Sequence, residues 1–305
     1  MKTSSKSHVS MLTMAVRTAI VFCLFAFIAA LFTGCTSTQR PAEYEAKPTG
    51  TIMRVAHRGG AALAPENTLA AFANGLKTDA DALELDIHLS KDGVLMVVHD
   101  PLLQRTTGES GEIIDYEAAV LRTMNAAKTH PQADTFGFQP IPTLEEVLKL
   151  AETAPRPVLL QIEIKVKQDG TRYENIGKKL VEMLRNFNRI DSSIIISFDF
   201  PSLATIKQLE PKLKTGALIS KAYMTKIGAK GPKAVAEDLA SLGVDYVGIN
   251  QVYLSQTLYD EFWAKGLKVG VWTVNEPQAI EKFAAMNVDF ITSDRPDLLK
   301  ELLDK

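Results

Sequence analysis

The residues best able to do chemistry crowd into one stretch, 57–100, reading HRGGAALAPENTLAAFANGLKTDADALELDIHLSKDGVLMVVHD. Near its end, Asp92-Gly93 separates two alternating apolar runs, the strongest short-range signal for a β-hairpin. A two-residue loop there sets Lys91 opposite Val94 and Asp86 opposite His99. Side chains alternate along a strand, so Glu84, Asp86 and His99 are expected on one face. Two carboxylates and an imidazole then converge. A second imidazole, His57, closes the apolar run 52–56. It precedes Arg58-Gly59-Gly60, where glycines would let the backbone approach a bound anion.

Leu160-Gln-Ile-Glu-Ile-Lys165 alternates in the same way, pointing Gln161, Glu163 and Lys165 away from its apolar residues. Taken alone, Glu163 and Lys165 read as a structural ion pair. Beside Glu84 and Asp86 they read differently. Three converging carboxylates repel one another and raise at least one pKa unless a cation lies among them. An all-oxygen set suits Mg²⁺ or Ca²⁺, whereas zinc prefers sulfur or more imidazole. Imidazoles titrate near neutrality, so a pair can supply a base and an acid. His130 reads as a structural hydrogen-bonder, and His88 as either solvent-exposed or a substrate contact. No serine or cysteine stands beside an evident activating base.

Positioning these groups falls to alternating strands and helices. Strands are expected at 52–56, 82–87, 158–164, 193–197, 214–219, 245–249, 268–272 and 288–292. Helices are expected near 66–77, 142–153, 173–188, 201–210, 231–241, 255–265, 276–285 and 296–303. In the first of these, Leu69, Phe72, Ala73 and Leu76 share a face. Pro65 fits its first turn, and Asn67 is its cap or a substrate contact. Eight such units predict an α/β fold, a (β/α)8 TIM barrel, with active-site residues at the C-terminal strand ends. The return strand 94–98 lies outside the eight, as a β-hairpin extension after strand two. A short excursion, 101–140, precedes helix two, and Phe136 and Phe138 suggest a lip over the site. Phe198 and Trp272 fall at strand ends, Phe198 as pocket wall or core packing. Asp294 reads as structural.

His57-Arg58-Gly59, Pro65-Glu66-Asn67-Thr68, Glu84-x-Asp86, Lys91-Asp92-Gly93 and His99-Asp100 occur in this order. Ile141-Pro-Thr-Leu-Glu-Glu146, Ile162-Glu-Ile-Lys165, Trp272-Thr-Val-Asn275 and Thr292-Ser-Asp294-x-Pro296 follow them. On these motifs the chain resembles the glycerophosphodiester phosphodiesterases over nearly everything after residue 50. The resemblance implies hydrolysis of a small-molecule glycerophosphodiester to sn-glycerol 3-phosphate and an alcohol. It implies one divalent cation on Glu84, Asp86 and Glu163, His57 and His99 as the acid/base pair, and Trp272 as a pocket wall. It also implies attack by the substrate's own 2-hydroxyl, giving a cyclic phosphate that water opens. A phosphodiester gains negative charge toward its transition state, and Arg58 and Lys165 are placed to stabilise it. Gln104 departs from the aspartate relatives often carry there, which bears on substrate choice.

Other readings share parts of this pattern. A lysophospholipase D or phosphatidylinositol-phospholipase-C-like enzyme has the same two-histidine barrel but would show an apolar rim for an acyl chain. A two-carboxylate glycosidase leaves His57, His99 and Lys165 idle. A non-catalytic lipoprotein that binds phosphorylated ligands would be expected to have lost a ligand or a histidine.

The chain begins with Lys2, Lys6 and Arg17, then runs apolar from Thr18 to Phe32 before Gly34-Cys35. This pattern resembles a bacterial lipoprotein signal over 1–34, with Cys35 as the lipidated first mature residue; an uncleaved membrane anchor is the alternative. Residues 35–50 read as a flexible tether and 51–305 as the phosphodiesterase domain. A location in the bacterial cell envelope, outside the cytoplasm, follows. The leader carries three positive charges and no acid, so the net charge of −2 becomes −5 without it. That excludes nucleic acid as a natural partner and leaves the lipid anchor as the membrane contact. The only cysteine besides Cys35 is Cys23, so the mature domain holds no disulfide.

Overall fold

The structure, a computed structural model, describes residues 51–304. Cys35, the leader and the tether lie outside the described residues. Nine strands form one sheet: β1 Met53–Ala56, β2 Ala82–Leu89, β3 Leu95–Val97, β4 Leu159–Ile164, β5 Ser193–Ser197, β6 Lys214–Ile219, β7 Tyr246–Asn250, β8 Lys268–Trp272 and β9 Phe290–Ser293. All but β3 are parallel to their neighbours, and β1 pairs with both β9 and β2, so eight strands close a barrel. Eight helices cover it: α1 Leu69–Lys77, α2 Leu144–Glu152, α3 Ile176–Asn186, α4 Phe200–Leu209, α5 Pro232–Ser241, α6 Gln256–Ala264, α7 Pro277–Ala285 and α8 Pro296–Leu303. The expected (β/α)8 TIM barrel is therefore present, strand for strand.

Strand alternation sorts the side chains. On β2, Leu83, Leu85 and Ile87 join the apolar layer under the helices, together with Leu160, Ile162 and Ile164 of β4. The intervening Glu84, Asp86, Gln161 and Glu163 point into the barrel mouth. Below them Met53, Val55, Leu159, Ile194, Ile196 and Phe290 plug the lumen. The floor is apolar and the rim is charged.

The first helix starts later than the sequence suggests. Thr68, not Asn67, is its cap, accepting from Ala71 N at 3.2 Å, and Pro65 lies outside the helix. Gly59 and Gly60 also meet a packing demand that the sequence does not announce. A Cβ on Gly59 would lie 2.7 Å from the Ala71 carbonyl carbon, and one on Gly60 3.0 Å from Pro296. Both have positive φ, so they let the turn after β1 pack against α1 and α8.

The hairpin forms with a register shifted by one. Ile87 pairs with Val97 and Leu89 with Leu95, so the loop holds three residues, with Gly93 at φ 76°. Ser90 N donates to Val94 O at 3.0 Å and Gly93 N to Ser90 O at 2.9 Å. A left-handed glycine as the third loop residue adds the extra position that a two-residue turn lacks. Asp86 therefore faces Val98, whose N–H reaches Asp86 O at 3.0 Å, and His99 lies on a bend past the strand. The excursion builds its own apolar cluster from Met96, Val98, Leu103, Ile113, Leu121 and Ile141. It makes no phenylalanine lip: Phe136 packs edge-on against His130, and Phe138 is 57% exposed.

Candidate active site

At the C-terminal rim, Glu84, Asp86 and Glu163 bring carboxylate oxygens within 4.8 Å of one another, all three buried. Lys165 Nζ donates to Glu163 Oε1 at 2.7 Å and lies 3.0 Å from Asp86 Oδ1. Asn67 Nδ2 donates to Asp86 Oδ2 at 2.8 Å. Asn67 steadies a carboxylate, not the helix. Arg58, in a left-handed turn conformation, donates its backbone N–H to Glu84 Oε2 at 2.8 Å and its guanidinium to Glu66 at 2.9 Å. Its Nε lies 3.7 Å from Asp86 and has no hydrogen-bond partner.

Two cations face three carboxylates here, so one negative charge lacks compensation. Burial, then the charges of Asp86 and Glu163, push the Glu84 carboxyl well above its ordinary range. Burial likewise raises Glu163, against the pull of Lys165. For Asp86 burial acts in the same direction, but Lys165, His99 and Arg58 outweigh it and hold the group low. Asp86 and Glu163 in turn keep Lys165 above its ordinary value despite burial. An all-oxygen, buried, over-negative cluster fits a hard divalent cation.

The histidines stand on either side. His57 Nδ1 lies 2.6 Å from Asp294 Oδ1, and His99 Nδ1 lies 2.6 Å from Asp100 Oδ1. Each carboxylate accepts, so each ring carries its Nδ1 proton and turns Nε2 to the mouth. His57 Nε2 is 4.0 Å from Glu84 Oε2. The carboxylates are themselves fixed. Asn275 Nδ2 donates to Asp294 Oδ2 at 2.7 Å, and Arg105 donates to Asp100 and, at 2.6 and 2.8 Å, to Glu66. Burial raises Asp294, but the hydrogen bond and charge of His57, with Asn275 and Arg58, together bring it below its ordinary range; at Asp100 the hydrogen bond from His99 is the largest influence and, with Arg105, lowers the group further still. Asp294 thus has a role in the site that the sequence reading did not give it.

His88 differs from both alternatives read from the sequence. It is 0% exposed, with Nδ1 accepting from Tyr173 Oη at 2.7 Å and Nε2 donating to His99 O at 3.0 Å. Burial lowers its pKa to about 4, so it is neutral and holds the His99 backbone in place. His130 does act structurally, accepting from Gln132 N at 3.1 Å.

A cavity of about 170 Å³ opens at the mouth, lined by His57, Arg58, Glu84, His99, Glu163 and Gln161 on its polar side. Phe198 and Trp272 wall it opposite, edge to face with ring centroids 5.7 Å apart. Phe198 is 41% exposed, so it is a wall residue and not core. Lys165 and a second cavity adjoin on the His99 side. Neither Phe136 nor Phe138 lines either space.

A (β/α)8 barrel with this mouth belongs among the phosphoric diester hydrolases, and the comparisons narrow the class. Residues 57–298 match the Glycerophosphoryl diester phosphodiesterase family. A glycerophosphodiester phosphodiesterase of Caldanaerobacter subterraneus is 32% identical over 251 residues, covering 82% of this chain and 97% of its own. An Oleispira antarctica phosphodiesterase, solved in complex with the product sn-glycerol-3-phosphate, superposes with a TM-score of 0.70 at 26% identity, over 82% and 96% of the two chains. The Thermotoga maritima glycerophosphodiester phosphodiesterase does so at 0.65 and 25%, over 82% and 98%. The chain belongs to this family and is a glycerophosphodiester phosphodiesterase.

Proposed function

We propose that the enzyme hydrolyses glycerophosphodiesters to sn-glycerol 3-phosphate and an alcohol, with His57 and His99 as the acid/base pair. One divalent cation, Mg²⁺ or Ca²⁺, would sit on Glu84, Asp86 and Glu163. When bound, such an ion neutralises phosphate charge and polarises an oxygen held against it. The observation that carries the reading is the matched pair of imidazole–carboxylate contacts, His57–Asp294 and His99–Asp100, each leaving Nε2 toward the same cavity. Two such groups can take one proton and give another.

His57 takes the proton of the substrate's 2-hydroxyl, which attacks phosphorus. His99 protonates the departing alcohol oxygen, and the roles reverse as water opens the cyclic phosphate. Arg58 and Lys165 face the charge that develops on the phosphoryl oxygens. The lysophospholipase reading looked to Phe136 and Phe138 for an acyl rim, and those residues stand away from the cavity. For the full chain we propose lipid attachment at Cys35 and a place in the bacterial cell envelope, which rests on the leader pattern.

The test measures glycerol 3-phosphate released from a headgroup panel, in chelator and then with each cation. Release that needs Mg²⁺ or Ca²⁺, and fails with a 2-deoxy diester, is expected. Full turnover of the 2-deoxy diester would exclude the internal nucleophile, and full turnover by metal-free protein would exclude the cation.

A further inference from the structure

The second cavity has a volume of about 440 Å³ and shares His99, Glu163 and Phe198 with the first. His57, Arg58 and Glu84 line only the first. A phosphoryl group held at the carboxylate cluster therefore has two exits. One lies beside His57, walled by Trp272; the other lies past His99, over the loop that follows β4. The alcohol that His99 protonates must leave on the His99 side. This assignment rests on the acid/base roles proposed above.

The charges along that exit are nearly all spoken for. Asp100 accepts from His99 and Arg105. Asp199 accepts from Arg172 Nε at 2.6 Å and from Ser202 Oγ at 2.7 Å. Lys165 is held by Glu163 and Asp86. Of the two lining lysines, Lys167 makes no ion pair within 4.0 Å among the described residues; the Asp169 carboxylate feels its charge but accepts from Thr171 N and Oγ1. Its Nζ lies over the Tyr173 ring, 5.9 Å from the centroid, and Tyr173 is itself pinned by its hydroxyl to His88. The cation is half-buried and placed, not waving in solvent.

We propose that the space beyond His99 is the leaving-alcohol subsite, and that Lys167 makes it favour alcohols carrying a further negative charge over those carrying a quaternary ammonium. A lysine ammonium is a point charge, so it ranks headgroups by charge more than by shape. One solvent-touching charge interaction is worth about threefold to fivefold in binding, and reversing the charge should count about twice that on a logarithmic scale, on the order of tenfold or more.

The experiment compares kcat/KM of the cation-loaded enzyme for three diesters: bis(glycerophospho)glycerol with an anionic headgroup, glycerophosphoglycerol with a neutral one, and glycerophosphocholine with a cationic one. Wild type should rank them in that order, and the spread should shrink in high salt. Lys167→Glu should invert the order and Lys167→Ala should flatten it. The same charge change at exposed Lys149 of α2, Lys149→Glu, should leave the order alone. Turnover of all three with a ranking that Lys167→Glu does not move would overturn the subsite while leaving the proposed function standing. Turnover of none by wild type would overturn both.

Discussion

Replacing Asp294 by asparagine puts the most strain on the proton-transfer argument. In the wild type Oδ1 accepts from His57 at 2.6 Å while Oδ2 accepts from Asn275 Nδ2 at 2.7 Å. The Asn275 amide cannot turn over, because its Oδ1 already accepts from Asp294 N at 2.9 Å and Ser293 Oγ at 3.0 Å. An asparagine at 294 must then show its oxygen to Asn275 and its NH₂ to His57. Nδ1 has to accept, the ring proton moves to Nε2, and the lone pair that faced the cavity is gone. Losing a charge-assisted hydrogen bond costs ~1.5–3 kcal/mol, or about 10- to 150-fold in rate. The wrong tautomer adds to that, so kcat in Asp294→Asn should fall by about 10²- to 10⁴-fold. Asp294 does not line the cavity, so KM should hardly move. Asp294→Ala leaves the tautomer unforced and should lose less than Asp294→Asn. Initial rates of glycerol 3-phosphate release, with a thermal melt to confirm folding, make the measurement. An asparagine variant within about threefold of wild type, or one more active than the alanine variant, would refute the reasoning.

Three further outcomes are expected. His57→Ala and His99→Ala should each lower kcat by about two to four orders of magnitude, and together by less than the product, since they act as one unit; a near-normal kcat in either removes that residue from the mechanism. In metal-free protein, Glu84 and Glu163 hold protons more tightly folded than unfolded. The stability this gives is full below the unfolded value near 4.3 and is lost as pH rises toward about 7, the raised value of Glu163. Melting temperature in chelator should therefore fall between pH 5 and 7.5, and Mg²⁺ or Ca²⁺ should restore more at the higher pH; an equal or larger gain at pH 5 contradicts the site. Cys35→Ser should stop lipidation and leader cleavage by the lipoprotein pathway; a wild-type protein that carries no lipid and is fully soluble after export would end the anchor proposal.

The barrel strands were legible because period-two alternation and apolar β-branched runs are local. β5, β6 and β8 fall at 193–197, 214–219 and 268–272 in both reading and structure. So were the three carboxylates, since strand parity alone puts Glu84 and Asp86 on the face opposite Leu83 and Leu85. The hairpin register was missed because Asp92-Gly93 signals a turn without fixing its length, and three loop residues move every pairing by one. His99 still reaches the cavity, by a bend that no strand-face argument contains. What parity could not supply was contact across distance. Asp294 meets His57 only when β9 closes against β1, 237 positions along the chain. His88 is buried only because Tyr173 arrives from beyond β4, 85 positions away. Phe136 and Phe138 misled for the opposite reason, their apolar character suggesting a place that the excursion's own core does not give them.

β3 stands between two apolar clusters: Leu95 and Val97 belong to the main core, while Met96 and Val98 belong to the separate cluster shared with the excursion. One imidazole of the pair thus follows a barrel strand, and the other leads straight into the excursion. Proteins open piecemeal, and separately packed clusters open at different free energies. Loosening of the smaller cluster would disturb His99 while Glu84, Glu163 and His57 keep their places. Heated enzyme should then fall silent reversibly before the barrel melts, with amide exchange quickening at 103–121 ahead of 159–164. The working range of temperature would be set by the excursion and not by the barrel.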